Sequence, residues 1–206
     1  MESINKKNVS QADRLAEAVS LIFHPFVVGI PTVSIAMVDQ GSSLAIALFW
    51  TVLSVSVVIL PLTYLIYSKV RNGKYSDPSV SMREQRHDLY KIAAVLLIFL
   101  TAILVFGKAP TVLIASLISV VLATLISFII NRRFTKLSLH TFGVSGCAAI
   151  LLLTVPMLGF IATLFIPLVA WARIHLQHHT VPQIIIGFTV SFSSVFFIFY
   201  MFHLLS

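Results

Sequence analysis

Long windows without any charged residue dominate this chain. Asp, Glu, Lys and Arg are absent from six windows, which are 18–38, 40–68, 92–107, 109–131, 137–172 and 174–206. A helix needs about 20 apolar residues to cross a hydrocarbon core of roughly 30 Å. Charged residues make up only 10% of the 206 residues, whereas soluble domains carry about 25%. The sequence therefore predicts an all-α integral membrane protein, with one transmembrane helical domain over residues 16–206 after a polar N-terminal segment, 1–15.

Five of these windows predict one transmembrane span each, centred on Phe26–Met37, Leu48–Ile66, Val95–Phe106, Leu113–Ile130 and about Ile184–Leu204. The sixth window, 137–172, would be about 54 Å long as a single helix, which is too long for one crossing. Pro156 and Gly159 lie near its middle, where they favour a turn. We therefore expect a tight hairpin of two short helices and seven crossings in a bundle, or six if one piece is re-entrant.

The basic residues predict the orientation of these spans. They cluster in the polar segment, in 69–91, in 131–136 and at Arg173. With seven spans all four groups lie on one side, and the positive-inside rule places that side and the N-terminus in the cytoplasm, as in a multi-pass inner or plasma membrane protein. Any of these arginines that are present to bind phosphate would also add to the positive charge on this side, and so would exaggerate the evidence for the orientation. The net charge of +7 suits anionic membrane lipids, so we expect no nucleic-acid partner.

Three polar stretches share that predicted face, and they are 69–91, 131–141 and 171–183. They are rich in Arg, Lys, His and Ser and poor in carboxylates. Arginine offers paired donors to phosphate oxygens and lysine offers a compact charge. Histidine can act as an acid, a base or a nucleophile near neutral pH. The three loops therefore predict an anion site at one membrane surface.

Two short motifs in these loops resemble the type 2 phosphatidic acid phosphatase superfamily, which groups membrane lipid phosphatases with vanadium haloperoxidase-like proteins. Ser138-Leu139-His140 is similar to the Ser-Gly-His core of the second motif of that superfamily. Arg173, five intervening residues and His179 match the spacing of the third motif, Ser-Arg-x5-His-x3-Asp. The resemblance covers roughly residues 69–200 and identifies the chain as a divergent member.

The resemblance implies a mechanism without a metal or another cofactor. His179 would attack phosphorus to form a phosphohistidine, and His140 would protonate the leaving oxygen. Gln183 occupies the place of the Asp that orients the nucleophilic histidine. The phosphoryl oxygens would be held by a set of basic and hydroxyl side chains, Arg173, Ser138, Arg86, Arg83 and Lys136.

The chain also departs from the pattern of the superfamily. The first motif, Lys-x6-Arg-Pro, lacks its lysine here, and His87 follows Arg86 in place of proline; Lys74 or Lys136 would have to supply the missing charge. At Gln183 an amide can accept a hydrogen bond from the histidine ring but cannot stabilise an imidazolium as a carboxylate does. We therefore expect weaker catalysis, catalysis on an unusual substrate, or no catalysis.

Three functions follow from these motifs. The leading one is a membrane phosphatase for a lipid phosphate or diphosphate, with phosphatidic acid or a prenyl (di)phosphate as substrate. The second is a silent lipid-phosphate binder or transporter. The third is another prenyl diphosphate enzyme, such as a prenyltransferase. Such enzymes typically hold Mg²⁺ with paired Asp-rich motifs. This function is weakly indicated, because Asp77 and Asp88 are the only aspartates in the basic loops past the N-terminal segment. The oligomeric state stays open. The membrane face also stays open, since many bacterial members of the superfamily act on the outer face, whereas the charge distribution here indicates the inner face.

Several other polar residues have simpler interpretations. His24 and His203 are expected in the core or at the membrane interface. His175 and His178 are expected to be spectators, although His178 would be the nucleophile if the register slipped by one residue. Asp77 is expected to cap the helix that carries Arg83.

Overall fold

The computed structural model describes residues 10–78, 80 and 82–204, and within them the chain is helical without strands. Nine α-helices occur in this part of the chain, and they are α1 (Gln11–Ile22), α2 (Pro25–Asp39), α3 (Leu44–Ser54), α4 (Leu60–Arg71), α5 (Arg86–Phe106), α6 (Thr111–Arg133), α7 (Leu139–Thr154), α8 (Pro156–His175) and α9 (Val181–Met201). A π-helical turn, Val55–Ile59, joins α3 to α4. The prediction of an all-α fold is confirmed.

Within the described residues, five helical units are long and apolar enough to cross a membrane. They are the continuous stretch from α3 to α4 with 28 residues, and α5, α6, α8 and α9. The pair α1 and α2, bent by 43°, is a sixth candidate. The seventh expected crossing corresponds to α7, whose 16 residues extend about 24 Å, less than a hydrocarbon core of roughly 30 Å. Seven crossings stay a prediction.

The predicted spans and the observed helices agree in position and differ at their ends. The third span is longer than expected, because α5 begins at Arg86 and has 21 residues. The last span ends at Met201, before Leu204. The hairpin expected in the longest window is present, since α7 ends at Thr154 and α8 begins at Pro156. A side chain at Gly159 would collide with the backbone of α7, so glycine allows the two helices to pack closely.

The N-terminal segment contains a helix that the sequence analysis did not anticipate. Ser10 caps α1, since its Oγ accepts the backbone N–H of Asp13 at 3.1 Å while the Asp13 carboxylate accepts the N–H of Ser10 at 3.0 Å. This reciprocal arrangement is a capping box. The buried face of α1, with Ala16 and Val19, packs in one apolar cluster with α8. The last residues of the expected polar segment, 11–15, therefore belong to a docked helix.

The bend between α1 and α2 follows from the dipeptide His24-Pro25. A residue before proline is disfavoured in the helical region, and His24 adopts an extended conformation with φ −63° and ψ 134°. The start of α2 then packs against α7 at Gly143, where an added Cβ would meet the Pro25 side chain and lie 2.9 Å from Pro25 Cα. Glycine at 143 thus sets how closely α2 approaches α7.

A larger apolar core lies between α2, α5, α6 and α9. Its fully buried members include Met37, Leu100, Leu104 and Phe199. The first residues of α5 and α7, Arg86 and Leu139, line one cavity with Arg173 from the last turn of α8 and with His179 from the loop before α9. These ends position the candidate site.

We predict that Gly143→Ala destabilises the protein by about 1–3 kcal/mol, because the added methyl group overpacks the contact with Pro25. Gly29→Ala is the matched control, since no atom lies within 4 Å of a Cβ at Gly29 in the same helix as Pro25. That substitution is expected to be neutral or to stabilise by up to about 1 kcal/mol. Thermal unfolding in detergent measures both, and equal effects of the two variants would contradict the proposed close packing.

Candidate functional site

The three polar stretches meet at one cavity of about 330 Å³. Its polar lining consists chiefly of His24, Arg86, His140, Arg173 and His179, and no Asp or Glu lines it among the described residues. The remaining lining is mostly apolar, with scattered Ser, Thr and Tyr hydroxyl groups, and follows α5 as far as Leu100, about 21 Å along the helix from Arg86. The site therefore combines a cationic end with a long apolar chamber.

His179 reaches the cavity through a tight turn after α8. Gln177 adopts a left-handed conformation with φ +56°, and the backbone N–H groups of His178 and His179 both donate to the Arg173 carbonyl, at 3.1 and 3.3 Å. This turn places His179 in the lining together with Arg173. His178, the alternative nucleophile, is not part of the lining.

The hydrogen bonds of Gln183 fix the tautomer of His179. His179 Nδ1 lies 3.0 Å from Gln183 Oε1, and the backbone N–H of Thr180 donates to the same oxygen at 3.4 Å. The Gln183 amide nitrogen donates to Thr135 Oγ1 at 3.2 Å. Because the oxygen is the acceptor in this arrangement, His179 Nδ1 must carry the proton. The lone pair of a neutral His179 is then on Nε2.

Burial keeps His179 neutral. Desolvation lowers the pKa of His179 to about 3; the hydrogen bond to Gln183 opposes this shift, and the charges of Arg86, Arg173 and Lys136 add to it. Neutral imidazole is the nucleophilic form. A bound anion would offset both burial and the positive neighbours, so it should raise the pKa of His179.

Arg173 presents an unused hydrogen-bond donor to its buried surroundings. The residue is only 3% exposed, and one terminal nitrogen donates to Ser20 Oγ in α1 at 3.1 Å. Its Nε has no hydrogen-bond partner in the described part of the chain. An unsatisfied buried donor on a charged group is costly, so this position favours an anionic ligand.

Backbone carbonyls hold the Arg86 side chain in the cavity lining. Its Nε donates to Val80 and one terminal nitrogen donates to Leu137, each at 2.7 Å. The residue is 2% exposed. These two bonds tie the loop before α5 to the loop before α7 and fix the guanidinium at the cavity.

His140 lies in the first turn of α7, near His24. The two rings are perpendicular, with centroids 5.2 Å apart. The backbone carbonyl of Ser20 accepts a hydrogen bond from His140, and the charges of Arg173, His24 and His179 act on it. His140 is therefore close enough to His179 for the two rings to interact electrostatically.

Three of the residues expected to bind phosphate lie outside the cavity lining. Arg83 donates to the carbonyls of Asn131 and Arg132 at the end of α6, which uses its guanidinium as a structural tie. Ser138 is fully buried as the N-cap of α7, with its Oγ accepting the Thr141 N–H at 3.4 Å. The charge of Lys136 acts on His179. Because the side chains of Arg83 and Ser138 do not line the cavity, their predicted contacts with phosphate gain no support from this geometry.

Two other expectations about charged residues also change. Asp77 does not cap the helix after it, because the N-cap of α5 is Gln85. Its negative charge instead acts on Arg86 and Arg173. His175 binds Asp13 at 2.9 Å and stacks on Trp171, so it helps to fasten α1 to α8.

The sequence analysis missed two site residues, Ser20 and His24. Both lie in the segment that precedes the resemblance, and Ser20 contacts Arg173 while His24 contacts His140. The dipeptide His24-Pro25 is the sequence signal that could have indicated these residues. A residue before proline often marks a chain bend. A bend between two apolar helices leaves backbone polar groups that need polar partners.

No family model, curated protein or solved structure matches this chain. Among the described residues, no group of three or more His, Cys, Asp or Glu side chains is arranged to hold a metal ion. Function must therefore be argued from the cavity and its side chains.

We predict that Gln183→Glu raises the pKa of His179 by about 1–3 units, because a carboxylate beside an imidazole favours the charged form. Glutamate keeps the side-chain length, and the Thr135 hydroxyl can turn to donate to it. Nitrogen NMR of labelled histidine across a pH titration measures the pKa and the tautomer. An unchanged His179 titration, or a wild-type proton on Nε2, would contradict the assigned hydrogen bond.

Proposed function

We propose that this protein is a membrane-embedded phosphatase that hydrolyses a lipid phosphate or diphosphate through a phosphohistidine intermediate. One observation carries the proposal. A histidine with its lone pair on Nε2 shares a cavity with two buried arginines, and no carboxylate lines that cavity among the described residues. This combination suits a phosphoryl group, which needs positive donors and a nucleophile at one place.

In the first step His179 Nε2 attacks phosphorus. The bond from phosphorus to the leaving oxygen breaks as the N–P bond forms, and a protonated His140 gives its proton to that oxygen. Negative charge brought by the substrate favours the protonated form of His140. The products are phosphohistidine and an alcohol, or a lipid monophosphate when the substrate is a diphosphate.

In the second step a water molecule attacks the phosphohistidine. His140 takes a proton from that water, the N–P bond breaks, and inorganic phosphate and free His179 result. Arg86 and Arg173 hold the phosphoryl oxygens in both steps and stabilise the charge that develops on them. No step requires a redox change.

The apolar chamber supports a lipid as the substrate. Its lining follows α5 for about 21 Å, which is more than one leaflet of a hydrocarbon core of roughly 30 Å. An acyl or prenyl chain fits such a space, with its phosphate at the cationic end. Phosphatidic acid and prenyl (di)phosphates therefore remain the proposed substrate classes. With α7 as a seventh crossing, this end lies on the same face as the basic loops, which we place in the cytoplasm.

A silent lipid-phosphate binder is the second candidate, and the amide at Gln183 favours it. Gln183 orients His179 without supplying the negative charge that would stabilise a protonated ring. Such a protein would keep the anion cavity and bind the same lipids without releasing phosphate. The third candidate, another prenyl diphosphate enzyme, would show metal-dependent turnover.

The deciding experiment measures phosphate release by purified protein in detergent with EDTA, using phosphatidic acid and farnesyl diphosphate. We expect release by the wild type and a loss of roughly 10³-fold or more in His179→Ala, because the nucleophile is gone. His178→Ala is the matched control, since its ring lies outside the lining, and it should retain activity. Absence of release from every substrate, or equal activity in His179→Ala, would sink the phosphatase proposal.

The role of His140 can be separated by the choice of leaving group. His140→Ala should lower kcat about 10²- to 10⁴-fold on a lipid phosphate, because an alkoxide leaves poorly without a proton. The same variant should lose much less on p-nitrophenyl phosphate, since p-nitrophenolate is stable as an anion. Equal losses on both substrates would indicate that His140 binds or supports the site and does not act as the acid.

A further inference from the structure

His24 occupies a defined place at the cationic end of the cavity. It lies in the bend between α1 and α2 as the N-cap of α2, and its Nδ1 accepts the backbone N–H of Phe26 at 3.3 Å. A backbone amide can only donate, so Nδ1 carries a lone pair. A neutral His24 therefore has its proton on Nε2.

Capping alone does not explain a histidine at this position. Asn, Asp, Ser, Thr and Gly are the preferred N-cap residues, and none of them carries a ring. The His24 ring lines the same cavity as His140, Arg173 and His179. Its chemistry is thus available to whatever the cavity binds.

The surroundings of His24 hold its ring in one orientation. The Phe26 ring packs edge-on to it, with centroids 5.2 Å apart and an angle of 67° between the planes. The His140 ring is perpendicular to it at the same centroid distance. Close packing of Pro25 on Gly143 fixes the backbone at this point. The His24 ring accepts a hydrogen bond from the helix start, packs against two other rings and follows a fixed backbone. It is therefore a preorganised donor.

His24 is a direct neighbour of His140 in the cavity. The two ring centroids are 5.2 Å apart, and both rings line the cavity together with Arg173 and His179. If His179 attacks phosphorus and His140 serves the leaving oxygen, His24 lies beside the residue that serves the leaving group.

We propose that His24 is a third histidine of the site and donates a hydrogen bond from Nε2–H to an oxygen of the leaving group. The inference rests on the proposed phosphatase function and adds a residue outside the motifs that suggested it. The oxygen acceptor has two possible sources. It is the ester oxygen of a monophosphate, or a phosphate oxygen of the leaving half of a diphosphate.

His24→Asn provides the test, because asparagine is among the best N-cap residues and removes only the ring. His203→Asn is the matched control. His203 is exposed in the turn that follows α9, with φ +53°, a conformation that asparagine tolerates. Thermal unfolding of both variants should stay close to that of the wild type.

Hydrolysis of farnesyl phosphate and farnesyl diphosphate then measures the donor. We expect His24→Asn to lower kcat/KM about 10- to 100-fold, the range expected for losing one hydrogen bond in a buried anion site. A loss confined to the diphosphate identifies the phosphate oxygen as the acceptor. A loss on both substrates identifies the oxygen that leaves phosphorus, which is the ester oxygen of the monophosphate and the bridging oxygen of the diphosphate. His203→Asn should be unaffected, and p-nitrophenyl phosphate should reveal little change in either variant.

Binding of the same two compounds provides a readout that does not depend on turnover. In a His179→Ala background, adding His24→Asn should weaken binding of at least one compound about 10-fold. If wild-type protein has no turnover and this weakening is still found, the phosphatase proposal fails and His24 remains a ligand-binding residue. If His24→Asn changes neither turnover nor binding relative to His203→Asn, His24 is only a helix cap and the inference is overturned.

Discussion

The burial of two guanidinium groups at one end of an apolar bundle determines much of the surrounding structure. A buried charge is costly unless it is hydrogen-bonded or paired. Arg86 is satisfied by the carbonyls of Val80 and Leu137, which join two loops that are far apart in sequence. Arg173 is satisfied in part by Ser20 of α1. The loops and the first helix therefore converge where they do because each supplies an oxygen to an arginine.

The incomplete satisfaction of Arg173 separates a residue of a binding site from an arginine that only joins parts of the structure. Arg83, also in the first polar stretch, has its Nε and one terminal nitrogen bonded to carbonyls at the end of α6, and it lies outside the cavity lining. Arg173 keeps an unpartnered Nε in the described part of the chain and lies in the lining. One arginine thus joins two parts of the structure and the other faces the cavity. Whether each buried guanidinium nitrogen has a hydrogen-bond partner distinguishes the two roles.

The helical class and most helix positions could be predicted, because hydrophobic windows follow directly from the thickness of a bilayer. The pairing of His179 with Gln183 was also accessible, since residues four apart near a helix start lie on one side. The fate of Arg83 was not accessible, because two arginines three residues apart look equivalent until the carbonyls near each are known. The roles of Ser20 and His24 were hidden for a related reason. They depend on α1 docking onto α8, which is a long-range contact without a periodic signal.

The left-handed turn at Gln177 has a consequence for how such a site can change during evolution. The end of α8 and the left-handed residue Gln177 together require a fixed number of residues between Arg173 and His179. The two backbone hydrogen bonds to the Arg173 carbonyl form only with that number. Apart from His175, which contacts Asp13, the side chains within the interval can change, whereas a one-residue insertion or deletion would rotate His179 out of the cavity. In a lineage of such proteins, the length of this interval would be under stronger selection than its composition.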